Sequence, residues 1–287
     1  MNYRHGYHAG NFADVVKHVA LVAILLHLRK KDTGFSVIYS HAGRGAYDLA
    51  GEQAARTGEA QNGVARLEDL SGEMPEAMAT YLSLVKESPG ASAKAGAILN
   101  RYPGSPLIAA ELLRGQDRLT AVEKHPEEFA ALTEVLAPYR NAVAEHADGY
   151  ARSLKLLPPA SRRGLVLIDP PFESPDEFSD LAHVVREATR KFATGIYLVW
   201  YPIKSDAEAK AFAGEVLAGG IDKALTIEVK VPAPEGKLGR AGLLVVNPPY
   251  GFDAAMREAG RLLAPLLNGE ITTAWLAGAE SAFRSKA

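Results

Sequence analysis

With 287 residues, 47% of them hydrophobic and 23% charged, the chain has the make-up of an ordinary globular protein built as one large or two smaller domains. It contains no cysteine, which excludes disulfide frameworks, thiolate metal sites, iron–sulfur clusters and cysteine nucleophiles. Thirty-two basic against 34 acidic side chains leave a formal charge of −2, so the global balance argues neither for nor against a nucleic-acid partner.

The opening residues, Met1-Asn2-Tyr3-Arg4-His5-Gly6-Tyr7-His8, carry no apolar targeting run, and the most apolar stretch, 15–28, is too short to cross a bilayer. A cytoplasmic protein with no membrane association is expected. Val15, Val19, Val22 and Leu26 repeat at helical spacing and predict a core-facing helix over 14–28. Residues 35–39 read as a buried strand that runs into Ser40-His41-Ala42-Gly43-Arg44-Gly45, a glycine turn suited to a nucleotide site. In dinucleotide folds an acidic residue closes the second strand about 20 residues later. Here the next good strand is 118–122, ending at Glu123, 78 residues after Gly45. The surplus predicts an insertion over about 52–101, a small helical subdomain with breaks at Met74-Pro75 and Ser88-Pro89-Gly90. The crossover helix falls at 105–114, with Ser105 as its N-cap and Pro106 opening the first turn.

Beyond Glu123 the pattern alternates. A helix over 127–137, a strand at 142–145, the turn Asp148-Gly149 with a helix through Leu156, and a strand at 164–168 predict a parallel sheet. Helix 176–189, strand 195–200, helix 207–218 and two closing strands near 225–231 and 242–246 complete the reading, with no repeats and no disordered tail of consequence.

The glycine turn, Glu123, Asp148-Gly149 and Asp169-Pro170-Pro171-Phe172 all fall at carboxyl ends of candidate strands, which share one crevice in a doubly wound sheet. In Asp-Pro-Pro-Phe, two prolines remove two backbone donors, so the carbonyl of Pro170 is free of a regular ladder. With the Asp169 carboxylate it makes a double acceptor for an exocyclic NH2 group, and Phe172 can stack on the ring that carries it.

Asp169-Pro-Pro-Phe172, the His41–Gly45 turn and Glu123 together resemble S-adenosylmethionine-dependent amino methyltransferases. More narrowly, Tyr3-Arg-His5, Phe12-Ala-Asp-Val-Val-Lys-His18, Arg56-Thr-Gly-Glu59, Tyr102-Pro-Gly-Ser-Pro106 and Arg162-Arg-Gly-Leu-Val-Leu-Ile-Asp169 resemble the RlmJ family of 23S ribosomal RNA adenine-N6 methyltransferases. The resemblance covers nearly the whole chain. It implies an α/β, Rossmann-like methyltransferase sheet with an inserted helical subdomain: 1–51 holding the arm, first helix and first strand, 52–101 the insertion, and 102–287 the remainder. It implies S-adenosyl-L-methionine as cofactor and 23S ribosomal RNA, free or partly assembled, as partner, with no obligate protein partner.

Carried over by position, the resemblance places His18, His41, Ser105, Glu123, Asp148, Gly149 and Asp169 around the cofactor, makes Asp169 the catalytic acceptor and sets Tyr3 near the RNA. Physical roles follow as expectations: Glu123 for the ribose hydroxyls, Asp148 for the adenine amine, Lys17 or His18 for the methionine carboxylate, and Pro170 and Phe172 for the target base. Arg4, Arg152, Lys155, Arg162, Arg163, Lys237 and Arg240 are candidate phosphate contacts. A second motif, Asn247-Pro-Pro-Tyr250, resembles that of enzymes that methylate glutamine amides or other bases. In the methyltransferase fold the last strand is antiparallel, which puts Asn247 on the far sheet edge. A DNA adenine methyltransferase and a non-catalytic RNA-binding protein are the remaining alternatives; an NAD oxidoreductase fits least, because the loop lacks full G-x-G-x-x-G spacing.

Overall fold

The computed structural model describes residues 5–51, 57–68, 70–87 and 100–278. Asn11 opens helix α1 (Phe12–Arg29): its side-chain oxygen accepts from the amides of Ala13 at 2.9 Å and Asp14 at 3.0 Å, two donors that a helix start leaves unpaired. The helix therefore begins two residues before the predicted start. Fourteen of its 18 residues are buried, including Asp14, Lys17 and His18, so it is a core element on nearly all sides.

Strand β1 (Ser36–Tyr39) follows and leads into a two-stranded ladder of β2 (Ala46–Asp48) with β3 (Arg101–Pro103), in which Tyr47 faces Tyr102. This ladder brings together the two ends of the segment expected as an insertion. Within it, two short 3-10 turns at Ala60–Asn62 and Val64–Leu67 precede helix α2 (Glu76–Glu87), which buries Ala77, Met78, Tyr81, Leu82 and Val85 in the same core as α1. The predicted break at Ser88-Pro89-Gly90 lies outside the described residues.

Helix α3 (Ser105–Glu111) is shorter than expected, and its N-cap is Gly104, which places Ser105 inside the first turn. A side chain at position 104 is excluded because its Cβ would sit 2.9 Å from the Gly45 carbonyl oxygen. The chain then alternates through β4 (Arg118–Glu123), α4 (Pro126–Leu136), β5 (Ala142–His146), α5 (Gly149–Lys155), β6 (Gly164–Ile168), α6 (Glu177–Lys191), β7 (Ile196–Pro202), α7 (Asp206–Leu217), β8 (Ala224–Lys230) and β9 (Arg240–Val246). It does not close there: helix α8 (Phe252–Leu266) and strand β10 (Glu270–Ala277) follow.

The main sheet has the order β10-β8-β9-β7-β6-β1-β4-β5. Its β5-β4-β1-β6-β7 half is parallel, as expected, whereas β9 runs antiparallel to β7 and β8, and β10 antiparallel to β8. The sheet is thus mixed rather than wholly parallel, the arrangement of a Rossmann-like methyltransferase with one additional edge strand. Helices α1, α2, α3 and α8 cover one face, and α5, α6 and α7 the other. Because β1 pairs with β4 on one side and β6 on the other, the strand order reverses at β1 and opens a crevice at the carboxyl ends. Among the described residues no helix is long and apolar enough to cross a membrane.

Candidate active site

Tyr39, Glu123 and Ile168 end three neighbouring parallel strands, and the turns that follow them meet the Lys17–His18 face of α1. Between them lies a cleft of about 610 Å³, open to solvent, lined by Lys17, His18, His41, Gly43, Ser105, Glu123, Asp169 and Pro170 among others. Seven of the sequence-derived candidates therefore share one wall system with the glycine turn.

The Lys17 ammonium lies 2.6 Å from Asp169 Oδ2 and 2.8 Å from Asp14 Oδ1. Side-chain exposures of 4% for Lys17, 2% for Asp14 and 18% for Asp169 make this a largely dry triad with one oxygen pair at the cleft. Burial alone would push the Lys17 pKa down; the charges of Asp14 and Asp169 outweigh it and hold the ammonium well above its ordinary range. Asp14 is fixed in turn by the Gly10 amide, which donates to its Oδ2 at 2.9 Å. The sequence reading missed Asp14, although its i,i+3 spacing from Lys17 on a predicted helix was a usable signal.

Pro170 is buried, and among the described residues no backbone donor reaches its carbonyl. Phe172 adopts a left-handed backbone, φ 51°, unfavourable for a bulky residue, and its ring packs edge-on against Phe178 and Trp200 at centroid distances of 4.8 and 5.8 Å. Glu123 is buried at the end of β4, with Oε2 accepting from the Gly43 amide at 2.8 Å and Oε1 from the His125 amide at 2.7 Å. Each oxygen keeps acceptor capacity, and the two backbone bonds fix the plane of the carboxylate. Gly43 and Gly45 have φ of 65° and 80°, the left-handed conformation that lets the turn fold back towards Glu123.

Ser105 lines the cleft from the first turn of α3, where its carbonyl accepts from the Tyr39 hydroxyl at 2.8 Å. His18 is fully buried, with Nδ1 2.8 Å from the Tyr102 hydroxyl, which is 3.0 Å from that of Tyr81 on α2. Asp148 and Gly149 are not in the lining; they back His41. Asp148 caps α5 through the Ala151 amide at 3.1 Å and pairs with Lys124 at 3.0 Å. Burial would raise the Asp148 pKa, but those two contacts hold it below the ordinary carboxylate range. At Gly149 a Cβ would run into the Ser40 carbonyl oxygen, so only glycine fits. Tyr3 and Arg4 lie outside the described residues. Of the other phosphate candidates, Arg152 is paired with Glu145, and Arg240 with Asp206 and Glu228.

His41 stands edge-on to Tyr150 at 4.9 Å, with Nδ1 2.9 Å from the Ser40 hydroxyl. Burial dominates and lowers its pKa to about 4, against the opposing pull of Asp169 and Asp148. A histidine kept neutral by the fold contributes stability that is complete above its unfolded pKa of about 6.5 and is lost as pH falls towards 4. Replacing His41 by Gln is expected to flatten the fall in thermal midpoint between pH 6.5 and 4; equal slopes for variant and wild type would remove this assignment.

Asn247 stands on the other edge. Antiparallel pairing sets Val246 opposite Tyr197, at the amino end of β7, and the Asn247 side chain donates to the carbonyls of Ala193 and Gly195, both at 2.8 Å. This amide closes a turn, and its donors are used there.

A family model described as "Ribosomal RNA large subunit methyltransferase D, RlmJ" matches residues 32–277. The chain is 38% identical over 277 residues to ribosomal RNA large subunit methyltransferase J of Haemophilus influenzae, covering 96% of this chain and 97% of that protein. It is 37% identical over 282 residues to the protein of the same name from Escherichia coli, covering 96% and 99%. A crystal structure of a Legionella pneumophila protein is 33% identical, with a TM-score of 0.84 and coverage of 95% and 99%.

Proposed function

This chain belongs to the RlmJ family of ribosomal RNA large subunit methyltransferases, and from that membership and the cleft we infer that it transfers a methyl group from S-adenosyl-L-methionine to the exocyclic N6 amine of an adenine in 23S ribosomal RNA. The observation that carries the reading is the meeting of Glu123, the glycine turn, Asp169 and the Pro170 carbonyl, which no backbone donor reaches among the described residues, in one cleft at the strand ends. The donor set suits this cofactor: a plane-fixed carboxylate for ribose hydroxyls, close backbone approach at Gly43 and Gly104, and a buried histidine beside them. When bound, S-adenosyl-L-methionine supplies an electrophilic methyl group.

The chain's own residues then have to orient a poor nucleophile. The adenine amine's lone pair is delocalised into the ring, and its two N–H bonds are matched by Asp169 and the Pro170 carbonyl, which favours a pyramidal nitrogen with its lone pair directed at the methyl. Lys17 occupies Asp169 Oδ2, which leaves Oδ1 as the substrate-facing acceptor. Forming the N–C bond would break the methyl–sulfur bond, whose electron pair stays on sulfur; the amine then gives up one proton, and Asp169 is the group placed to take it towards solvent. Phe172 supplies the ring for a base turned out of its stack.

Tritiated methyl transfer to deproteinised RNA, with DNA and protein as parallel acceptors and nucleoside analysis of the product, tests the reading: label in N6-methyladenosine from RNA is expected, and label confined to DNA or protein would refute it. Glu123→Ala is expected to weaken cofactor binding by about 10- to 100-fold in calorimetry, the equivalent of losing one charge-assisted bond of about 1.5–3 kcal/mol. Unchanged affinity would take Glu123 out of the cofactor site.

A further inference from the structure

The amino edge of the sheet, opposite the cleft, gathers basic residues from separate parts of the chain. Arg29, Lys30 and Lys31 leave α1 there, and Arg162 and Arg163 precede β6. Arg114 and Arg163 both lie over the Phe35 ring, at 5.6 and 5.8 Å, so two guanidinium groups are held side by side. Arg114 is neutralised by the buried Asp117, and Arg163 is tied to the Thr33 carbonyl at 2.9 Å. No carboxylate pairs with Arg29, Lys30, Lys31 or Arg162 among the described residues, and all four are exposed; Asp32 is the one acid in the same turn. His27 reports the resulting field: burial and then the charges of Lys30, Arg163 and Lys31 depress its pKa.

Tyr250, the last residue of the Asn-Pro-Pro-Tyr motif, joins this edge because β9 runs backwards. It is 80% exposed and borders, with His27, Lys30 and Pro249, a groove of about 510 Å³. An aromatic ring offered to solvent beside unpaired cations matches the two elements of unpaired-RNA recognition, base stacking and phosphate contact. We propose that this edge is a second RNA contact, remote from the methyl-transfer cleft, in which Tyr250 stacks on an unpaired base while Lys30, Lys31 and Arg162 engage phosphates. The inference rests on the RNA reading above. Strands of five or six residues at about 3.3 Å each put the two edges roughly 15–20 Å apart, so the enzyme grips its RNA at two separated points.

The test uses the full chain and a deproteinised 23S ribosomal RNA fragment, with binding measured across salt concentrations and methylation kinetics at fixed salt. A K30A/K31A/R162A variant is expected to lower the salt slope of log K by about 2, at about 0.7–0.9 for each phosphate that is no longer neutralised. It should raise KM for RNA about tenfold, with kcat and cofactor affinity unchanged. Tyr250→Ala should raise KM about tenfold while Tyr250→Phe, which keeps the ring, behaves as wild type. Thermal midpoints of these exposed-site variants confirm folding, and the K30E/K31E reversal supplies an independent check. Unchanged slope and KM in the triple variant would overturn the proposal. So would a defect seen only with protein-bearing ribosomal particles, which would make the edge a protein-docking face. If the wild type methylates no RNA, the functional reading fails, and the salt-slope comparison still decides whether this edge binds RNA.

Discussion

Asp169→Ala is expected to reduce methyl transfer on the order of 10³-fold while the protein remains folded. The size follows from geometry. In the proposed reaction Asp169 is one of two acceptors for the target amine and the group that takes the released proton, and removing a preorganised partner of a reacting group costs about 10²–10³-fold in comparable sites. The fold survives because Lys17 keeps Asp14 at 2.8 Å as a counter-ion, so no unpaired charge is left buried. Loss of stability should stay at about 1–3 kcal/mol, the range for deleting one partner of a charged hydrogen bond whose other partner keeps a counter-ion. Single-turnover methylation together with chemical denaturation measures both quantities, and a variant that retains wild-type turnover would move the catalytic acceptor elsewhere.

The opposite substitution on the same contact should act mainly on stability. Lys17→Met removes the cation shared by Asp14 and Asp169 and leaves the buried Asp14 carboxylate beside that of Asp169 at the cleft wall; deleting one member of a buried ion pair costs about 3–5 kcal/mol. The sign of the pH dependence distinguishes this cause from a packing defect. Two carboxylates deprived of their cation hold a proton to higher pH in the folded chain than in the unfolded one, where both ionise near pH 4. The stability deficit of the variant relative to wild type must therefore be greatest at neutral pH and shrink as pH is lowered towards 4. Urea denaturation at pH 7.5 and pH 5 gives the two deficits, and equal values would assign the loss to packing alone.

The parallel half of the sheet was legible because strands covered on both faces read as apolar runs, as in Leu165-Val166-Leu167-Ile168, and each run ended in a residue with visible chemistry. The closing elements were not. Strand β10 is an edge strand with alternating exposed and half-buried residues and a mixed composition, and α8 is apolar on one stripe only, through Phe252, Met256, Ala259 and Leu263. The cleft was partly legible for a similar reason. Strand-end position singles out Glu123 and Asp169, but nothing local pairs Lys17 with a carboxylate 152 residues away, and the sequence offered that lysine, or His18, for the cofactor's carboxylate. In the folded chain two of its N–H groups are already taken by aspartates, which supports a role in orienting Asp169. Similarly, Ser105 satisfied the pattern for a cap, but close approach of the Gly45 carbonyl gave that position to Gly104.

The row formed by His18, Tyr102 and Tyr81 has a directional property. Each phenol has one proton to give, and burial raises the pKa of both tyrosines, so both remain phenols across the working range. If Tyr81 donates to Tyr102, then Tyr102 donates to His18 Nδ1 and the imidazole proton sits on Nε2; if Tyr102 donates to Tyr81, Nδ1 must carry the proton and donate. The choice of histidine tautomer is thus coupled to the rotor of a hydroxyl on α2. A helix that contributes no side chain to the cleft lining thereby helps set whether His18 meets its surroundings as a donor or an acceptor. Tyr81→Phe, which deletes one oxygen and preserves the packing, would release that coupling: Tyr102 would keep His18 as its one partner in the row and could donate to Nδ1 or accept from it without reference to α2.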